Sequence, residues 1–127
     1  MITPTTYAIP GLMVPIEIIQ QTVAEYFGLT ADDLKLRTNR RAIVWPRQIA
    51  ITFEYMYYMN RYLNGGFEDI GTHYNLDRTT AIYAKKTVFN IAETTPSVYQ
   101  VMAALAEIIT NKTQMNFDIT EYIKPVK

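Results

Sequence analysis

The segment from Phe67 to Val88 constrains the fold most, because it reads as a short helix, a tight turn and a second helix. The second helix opens on Asp77, whose side-chain oxygen can accept backbone N–H groups of the first turn and so act as an N-cap. Arg78, Thr79 and Thr80 then occupy the first turn. A helix-turn-helix touches base edges with the N-terminal residues of its second helix. The pattern predicts such a motif, and an ordinary capped helix in an all-helical domain fits these residues equally well.

The residue types at the start of the second helix are those that read a DNA duplex. Arginine can make a bidentate contact with guanine, and threonine supplies a hydroxyl and a methyl group that can meet a thymine methyl. Small apolar residues recur at spacings of three and four, which predicts a buried face made of Ala81, Ala84 and Val88. The residues that we expect to be exposed are Arg78, Thr79 and Lys85.

The rest of the chain carries the periodicity of helices, so the sequence predicts an all-α fold, a small helical domain with an additional C-terminal helix. Apolar residues recur every three to four positions in three further segments. The predicted helices run from Pro15 to a stop at Gly28, from about Pro46 to Asn64-Gly65-Gly66, and over residues 96–111. Thr95 and Pro96 are typical of an N-cap followed by the first helical residue. Asn64-Gly65 could mark a hairpin turn, but the flanking segments lack the alternation of strands.

Two shorter segments complete the pattern. Thr30-Ala31-Asp32-Asp33 resembles a capping box with Asp in place of Glu, and predicts a brief helical turn that ends near Leu36. In the tail of residues 113–127, Met115, Phe117 and Ile119 alternate with polar residues. We expect that tail to be an extended segment that lies on the body of the protein.

Length and composition are those of a single globular domain. With 127 residues, of which 49% are hydrophobic, the chain can bury a core, and we expect one domain over residues 1–127. It has no cysteine, which excludes disulfides, thiolate metal sites and a cysteine nucleophile. No apolar run approaches the roughly 20 residues needed to cross a bilayer, and the N-terminus lacks the features of a signal peptide. We therefore expect a cytoplasmic protein with no membrane partner.

The distribution of charge is more informative than its total. A net charge of zero argues against a general polyanion binder. Eight of the 12 basic residues nevertheless fall in two short stretches: Lys35, Arg37, Arg40, Arg41 and Arg47 in the first, and Arg78, Lys85 and Lys86 in the second. The first stretch, residues 35–47, is here called the basic segment, and its part before Pro46 is predicted to be a loop. Phosphate contacts must flank base contacts, so Arg40, Arg41 and Arg47 should share a face with the second helix. A solvated, arginine-rich loop is the alternative.

Candidate catalytic residues are few, and the sequence predicts no enzyme, no cofactor and no metal. The single histidine, His73, has no cysteine or second histidine as a partner. The pairs Asp32-Asp33 and Glu68-Asp69 are adjacent in sequence, so on a helix they point in different directions and do not form a paired acid site. No Gly-x-x-x-x-Gly-Lys-Ser/Thr motif occurs, so no nucleotide is expected, and neither is an ATPase domain in a chain of this length.

Three groups of residues, taken in chain order, resemble the C-terminal DNA-binding domain of the bacterial chromosomal replication initiator DnaA. They are residues 19–34, then Arg40-Arg41 with residues 46–50, then Ile70-Gly71 with residues 77–80. The resemblance covers roughly residues 16–92. It implies a Trp-repressor-like helix-turn-helix that recognises short boxes in double-stranded DNA. It also implies a basic loop at the backbone and minor groove, and a recognition helix in the major groove.

The resemblance carries over to named positions of this chain. Arg78 stands where the family usually has His, and the minor-groove arginine of the family falls on Asn39, with Arg40 and Arg41 beside it. The candidate DNA-binding residues are Arg37, Asn39, Arg40, Arg41, Arg47, Gln48, Asp77, Arg78, Thr79, Thr80 and Lys85. The expected partners are double-stranded DNA and replication or regulatory proteins, and the expected process is replication initiation or transcription regulation. The alternative is a relative that keeps the fold as a protein-interaction module and uses the Tyr- and Met-rich residues 55–62 as its surface.

Overall fold

The computed structural model describes residues 13–60 and 66–124, and every regular element in those two ranges is a helix. The α-helices are α1 (Met13–Tyr26), α2 (Arg41–Asn60), α3 (Phe67–His73), α4 (Arg78–Thr94) and α5 (Pro96–Thr113). Two short 3₁₀ helices cover Asp32–Lys35 and Ile119–Glu121. The predicted all-α class is therefore confirmed. The predicted end of the second helix at Asn64-Gly65 lies outside the described residues.

The connection from α1 to the first 3₁₀ helix forms as the sequence predicts. Gly28 adopts a φ of +75° after α1, a left-handed conformation that ends a helix at the least cost when the residue is glycine. The capping box then closes in both directions: the N–H of Thr30 donates to Asp33 Oδ2 over 2.9 Å, and the N–H of Asp33 donates to Thr30 Oγ1 over 3.2 Å. Leu34 follows in the short helix and is fully buried.

The start of α2 differs from the prediction. The helix begins at Arg41, so the second half of the basic segment is helical and Pro46 lies inside the helix. Proline lacks the N–H that would bond to the carbonyl four residues earlier, that of Ala42. Ala42 is exposed near the helix end, so this lost bond costs less than it would in a buried helix interior. Reading Pro46 as the first helical residue therefore placed the start five residues too late.

Helix α2 is the centre of the fold. It packs against α1, α3 and α4, and it supplies the largest share of the fully buried side chains. Those of α2 include Ile49, Ala50, Ile51, Phe53, Met56 and Tyr57. Each large apolar side chain buried in this way contributes about 1.5–3 kcal/mol relative to exposure. The same helix exposes Met59, so the Tyr- and Met-rich run is only partly core.

The C-terminal part covers the other side of the core. Thr95 is the N-cap residue of α5 through its carbonyl, although its side chain makes no capping bond. Met102, Leu105 and Ile109 form the predicted buried stripe, and α5 packs against α1 and α4. In the tail, Phe117, Ile119 and Ile123 are buried, so its described part, up to residue 124, lies on the body as expected, with a 3₁₀ turn in place of a fully extended chain. Met115 is partly buried and packs against the same core.

Candidate nucleic-acid interface

A close backbone approach shapes the turn between α3 and α4. The N–H of Leu76 donates to the carbonyl of Gly71 over 2.8 Å. A Cβ atom on Gly71 would lie 2.6 Å from the carbonyl oxygen of Leu76, so a larger residue would force the turn apart. Asn75 has a φ of +60°, a left-handed conformation that Asn adopts more readily than most residues. The helix-turn-helix predicted for residues 67–88 is therefore present, and Gly71 and Asn75 define its turn.

Asp77 caps α4 as predicted. Its Oδ1 accepts the backbone N–H of Thr80 over 2.7 Å, and this hydrogen bond lowers the pKa of the Asp77 carboxyl below its ordinary value. The negative charge also lies at the helix end that the helix dipole makes positive. Arg78, Thr79 and Thr80 follow directly and are all exposed. The first turn of α4 thus presents one cation and two hydroxyl-bearing side chains to solvent.

Helix α4 has one buried face and one exposed face. Ala81, Ala84 and Val88 are buried, as the spacing of apolar residues predicted, and Ala92 continues the same face. This buried face lies in the core, where α4 packs against α2, α3 and α5. Because most of these side chains are small, the α4 backbone can pack closely against its neighbours, and its opposite face points outward.

The prediction that Lys85 is exposed is wrong. Its Nζ lies 4.9 Å from the ring centre of Tyr55, 5.7 Å from that of Phe67 and 5.4 Å from that of Phe89. Aromatic faces attract a cation, and these three rings come from three different helices. Partial burial, with Lys86 beside it, lowers the pKa of the Lys85 amine. Helical periodicity could not reveal this contact, because two of the three rings belong to other elements.

The prediction that Arg47 joins an exposed basic patch is also wrong. The residue is only 6% exposed. Its Nε donates to the carbonyl of Leu34 over 2.6 Å, its Nη2 donates to the carbonyl of Leu36, and its Nη1 lies 3.5 Å from the carbonyl oxygen of Thr38. Burial lowers the pKa of the guanidinium. The planar fork of donors in one arginine therefore holds three carbonyls of the loop that precedes α2.

The loop held by Arg47 lies beside the turn of the helix-turn-helix. A groove of about 490 Å³ runs between them, with Arg37 and Asn39 on the loop side and Asn75 and Leu76 on the turn side. Arg37 and Asn39 are both exposed. The structure therefore brings these two candidate residues next to the turn that leads into α4.

The remaining candidates lie at the N-terminal end of α2. Arg40 and Arg41 are exposed, and the guanidinium carbon of Arg41 lies 5.9 Å from the ring centre of Trp45. Gln48 is half-buried in the second turn of the helix. The prediction that Arg40 and Arg41 share a face with α4 stays a prediction.

A buried polar cluster, which sequence reasoning missed, ties the turn to α2. Glu54 is fully buried; it accepts a hydrogen bond from Gln20 Nε2 over 3.3 Å and one from the Tyr74 hydroxyl. Its Oε1 lies 2.7 Å from His73 Nδ1. Burial, reinforced by the Glu54 carboxylate, raises the pKa of Tyr74 well above its ordinary value, and the bond to Glu54 raises the pKa of His73. The available signal was one acidic residue inside the apolar run of α2, since a buried carboxylate requires partners.

This cluster differs from a metal site. Only two of its members, Glu54 and His73, are residues that commonly ligate metals, and a protein metal site usually needs three or four. Within residues 13–60 and 66–124, no three His, Asp or Glu side chains converge in such an arrangement. None of the helices in that same part of the chain combines the length and the apolar character needed to cross a membrane.

Comparison with known proteins agrees with this geometry. Residues 16–88 match the family model described as the bacterial dnaA protein helix-turn-helix. The chain belongs to this family. The matched range starts in α1 and ends within α4, so it contains the basic segment, the turn and the exposed first turn of α4. The later part of α4, α5 and the tail lie beyond the match.

Relatives of this dnaA-type helix-turn-helix chain carry the name chromosomal replication initiator protein DnaA. The protein of a Nostoc species is 30% identical over 108 residues, which is 79% of this chain and 22% of the relative. That of Flavobacterium psychrophilum is 34% identical over 82 residues, and that of Wolbachia pipientis is 35% identical over 82 residues. The matches to these two cover 64% of this chain and 16% and 17% of the relatives. The chain thus spans about a fifth of the length of the curated relatives it matches.

Proposed function

We propose that this chain is a sequence-specific module that binds double-stranded DNA and has no catalytic activity of its own. The observation that carries the proposal is the first turn of α4, where Asp77 caps the helix and Arg78, Thr79 and Thr80 are exposed together. The N-terminal residues of a recognition helix are those that reach base edges in the major groove. Membership in the dnaA-type helix-turn-helix family supports the same assignment.

In this proposal Arg78 supplies the direct reading of one base. Its guanidinium is exposed, and arginine can donate two parallel hydrogen bonds to guanine O6 and N7. Thr79 would meet the neighbouring base with its hydroxyl or its methyl group. Because Asp77 fixes the first turn, these side chains approach the duplex from a rigid backbone.

The loop beside the turn would hold the backbone of the duplex. Arg37 and Asn39 lie across the groove from Asn75, close to the residues that lead into α4. Arg40 and Arg41 add two further exposed groups at the start of α2, within reach of a phosphate track if they share that face. Arg47 would act indirectly, because its donors hold the loop and do not face solvent.

The test begins with selection of binding sites from random duplex DNA, followed by titration of the enriched duplex and a scrambled duplex. Arg78→Ala should weaken binding to the enriched duplex by about 1–3 kcal/mol and relax the preference at one base pair. Arg41→Ala should weaken binding to both duplexes about equally, since a phosphate contact carries no sequence information. The affinity of the parent should fall only modestly with salt, by roughly 0.9 log units per neutralised phosphate for each tenfold rise.

Two outcomes would count against the proposal. If Arg78→Ala binds both duplexes like the parent, α4 is not the recognition element. If the parent binds no duplex even at low salt, the protein-interaction module is the better function. We further propose that the DNA binding serves replication initiation or transcription regulation. The protein partners would then be replication or regulatory proteins.

A further inference from the structure

Tyr83 is an exposed aromatic side chain on α4, the proposed recognition helix. Packing within the described part of the fold gives no reason for an aromatic residue at this position. It is 65% exposed, more than the other large exposed apolar side chains of the described residues, Tyr26, Leu36 and Met59. Within residues 13–60 and 66–124, six other tyrosines pack against a neighbouring aromatic ring, and Tyr83 does not. A tyrosine ring held in water forgoes the burial that usually makes this residue stabilising.

The position of Tyr83 on α4 places it in the middle of the exposed face. Successive residues of an α-helix turn by about 100°, so Tyr83 lies about 40° around the axis from Thr79. Lys86, also exposed, lies about 20° from Thr79 on the other side. The buried residues Ala81 and Val88 lie on the opposite side of the helix. A duplex whose major groove follows the helix axis past Thr79 therefore also meets Tyr83.

The distance along the helix sets which base pair the ring can reach. Four residues of an α-helix rise by about 6 Å, and successive bases on one strand are about 3.4 Å apart. Tyr83 thus stands about two base steps beyond the pair opposite Thr79. On the floor of the major groove the apolar group available to a ring is the methyl group of thymine.

We propose that Tyr83 is a specificity-determining residue whose ring packs on a thymine methyl group in the major groove, about two base pairs from the base read by Thr79. The inference rests on the proposed function, because it requires α4 to enter that groove. The ring gains burial against the methyl group, while the hydroxyl at its tip can stay hydrated or donate to a phosphate. The first-turn residues Arg78, Thr79 and Thr80 supply no aromatic side chain, so Tyr83 adds a different kind of contact to this helix face.

The experiment uses the full chain and the duplex enriched from a random pool, together with copies in which each thymine in turn is replaced by deoxyuridine, which lacks the methyl group. For the parent, one replacement should weaken binding about fourfold, the effect of one buried methyl group. The Tyr83→Ala variant should bind the unmodified duplex about tenfold more weakly than the parent does. It should bind the unmodified duplex and the deoxyuridine duplex equally. Tyr83→Phe should keep the thymine preference, because the ring is retained. Tyr26→Ala, an exposed tyrosine on α1, is the matched control and should behave like the parent.

The outcomes separate this inference from the proposed function. If the parent binds no duplex, both the proposed function and the assignment of Tyr83 are overturned. If the parent and Arg78→Ala behave as proposed but Tyr83→Ala keeps the same thymine preference as the parent, only the assignment of Tyr83 is overturned. Loss of the preference in Tyr83→Phe would also overturn it, because the hydroxyl would then be the reading group. Unchanged thermal unfolding of the Tyr83 variants would show that binding, and not the fold, was altered.

Discussion

The basic segment and helix α4 carry their cations in different ways, although in sequence both look like exposed basic stretches. In the basic segment the last cation, Arg47, turns inward and bonds to backbone carbonyls. In α4 the inward cation is Lys85, whose ammonium lies over the rings of Tyr55, Phe67 and Phe89. Arg78 at the start of α4 and Arg37 in the loop stay exposed.

The difference teaches that each region turns one cation inward, where it holds the local structure, while other cations of the same region, such as Arg37 and Arg78, stay exposed. Arginine holds a loop because its fork of donors can satisfy several carbonyls at once. Lysine holds a helix junction because its single ammonium can sit against ring faces while its stem packs. A count of basic residues in sequence therefore overestimates the charge that a DNA duplex can meet.

The largest expected effect comes from removing the inward cation of the basic segment. Arg47→Met keeps the apolar stem but leaves the carbonyls of Leu34 and Leu36 without their charged donor. The free energy of unfolding should fall by about 3 kcal/mol. Urea unfolding followed by circular dichroism measures this. The control Arg37→Met, at an exposed position of the same segment, should change stability by less than about 0.5 kcal/mol. Equal effects of the two variants would contradict the assignment of Arg47 as the structural cation of the basic segment.

A smaller effect is expected for the inward cation of α4. Lys85→Met keeps the length of the side chain and removes the charge that lies over Tyr55, Phe67 and Phe89. Stability should fall by about 0.5–1 kcal/mol, the usual value of a partly exposed cation–π contact. Lys86→Met, an exposed neighbour on the same helix, should leave stability unchanged. A larger loss in Lys86→Met than in Lys85→Met would contradict the assignment of Lys85 as the structural lysine.

The smallest expected effect is a pH dependence that arises at the pair of His73 and Glu54, between α3 and α2. The bond to Glu54 raises the pKa of His73 in the folded state above its ordinary value of about 6.5. The folded state therefore binds the proton more tightly than the unfolded state. This contribution to stability is complete below about pH 6.5 and is lost as the pH rises through the folded-state pKa.

This expectation is tested by the urea midpoints of the parent and of His73→Gln. They are measured below about pH 6.5 and again above the folded-state pKa of His73. The stability of the parent should decline across the window relative to that of the variant, and the difference between them should be largest at the acidic end. Parallel curves for the two proteins would mean that the pair of His73 and Glu54 does not respond to pH in this range.

Much of the local structure was accessible from the sequence, because it depends on neighbours in the chain. The capping box of Thr30 and Asp33, the N-cap Asp77 and the glycine stop at Gly28 all formed where the residue types indicated. The buried face of α4 followed from spacing alone. The predicted start of α2 at about Pro46 was wrong, because a proline can lie inside a helix close to its N-terminal end.

The candidate site was less predictable, because exposure depends on residues that are distant in sequence. Arg47 is buried by a loop about ten residues away, and Lys85 is covered partly by Tyr55, 30 residues away. Periodicity describes one element at a time and carries no information on which neighbour covers a given side chain. The role of Glu54 was hidden for the same reason, since its partners come from α1 and from the end of α3.

The sequence by itself determined the helical class, the family and the first turn of α4, because caps, turns and apolar spacing act over three or four residues. The tertiary structure alone decided which cations remain on the surface. Only packing brought Arg37 and Asn39 beside the turn at Asn75, turned Arg47 inward and left Tyr83 exposed. The physical reason is that a charged or aromatic side chain finds its partners across the fold, and those partners are set by how the helices pack.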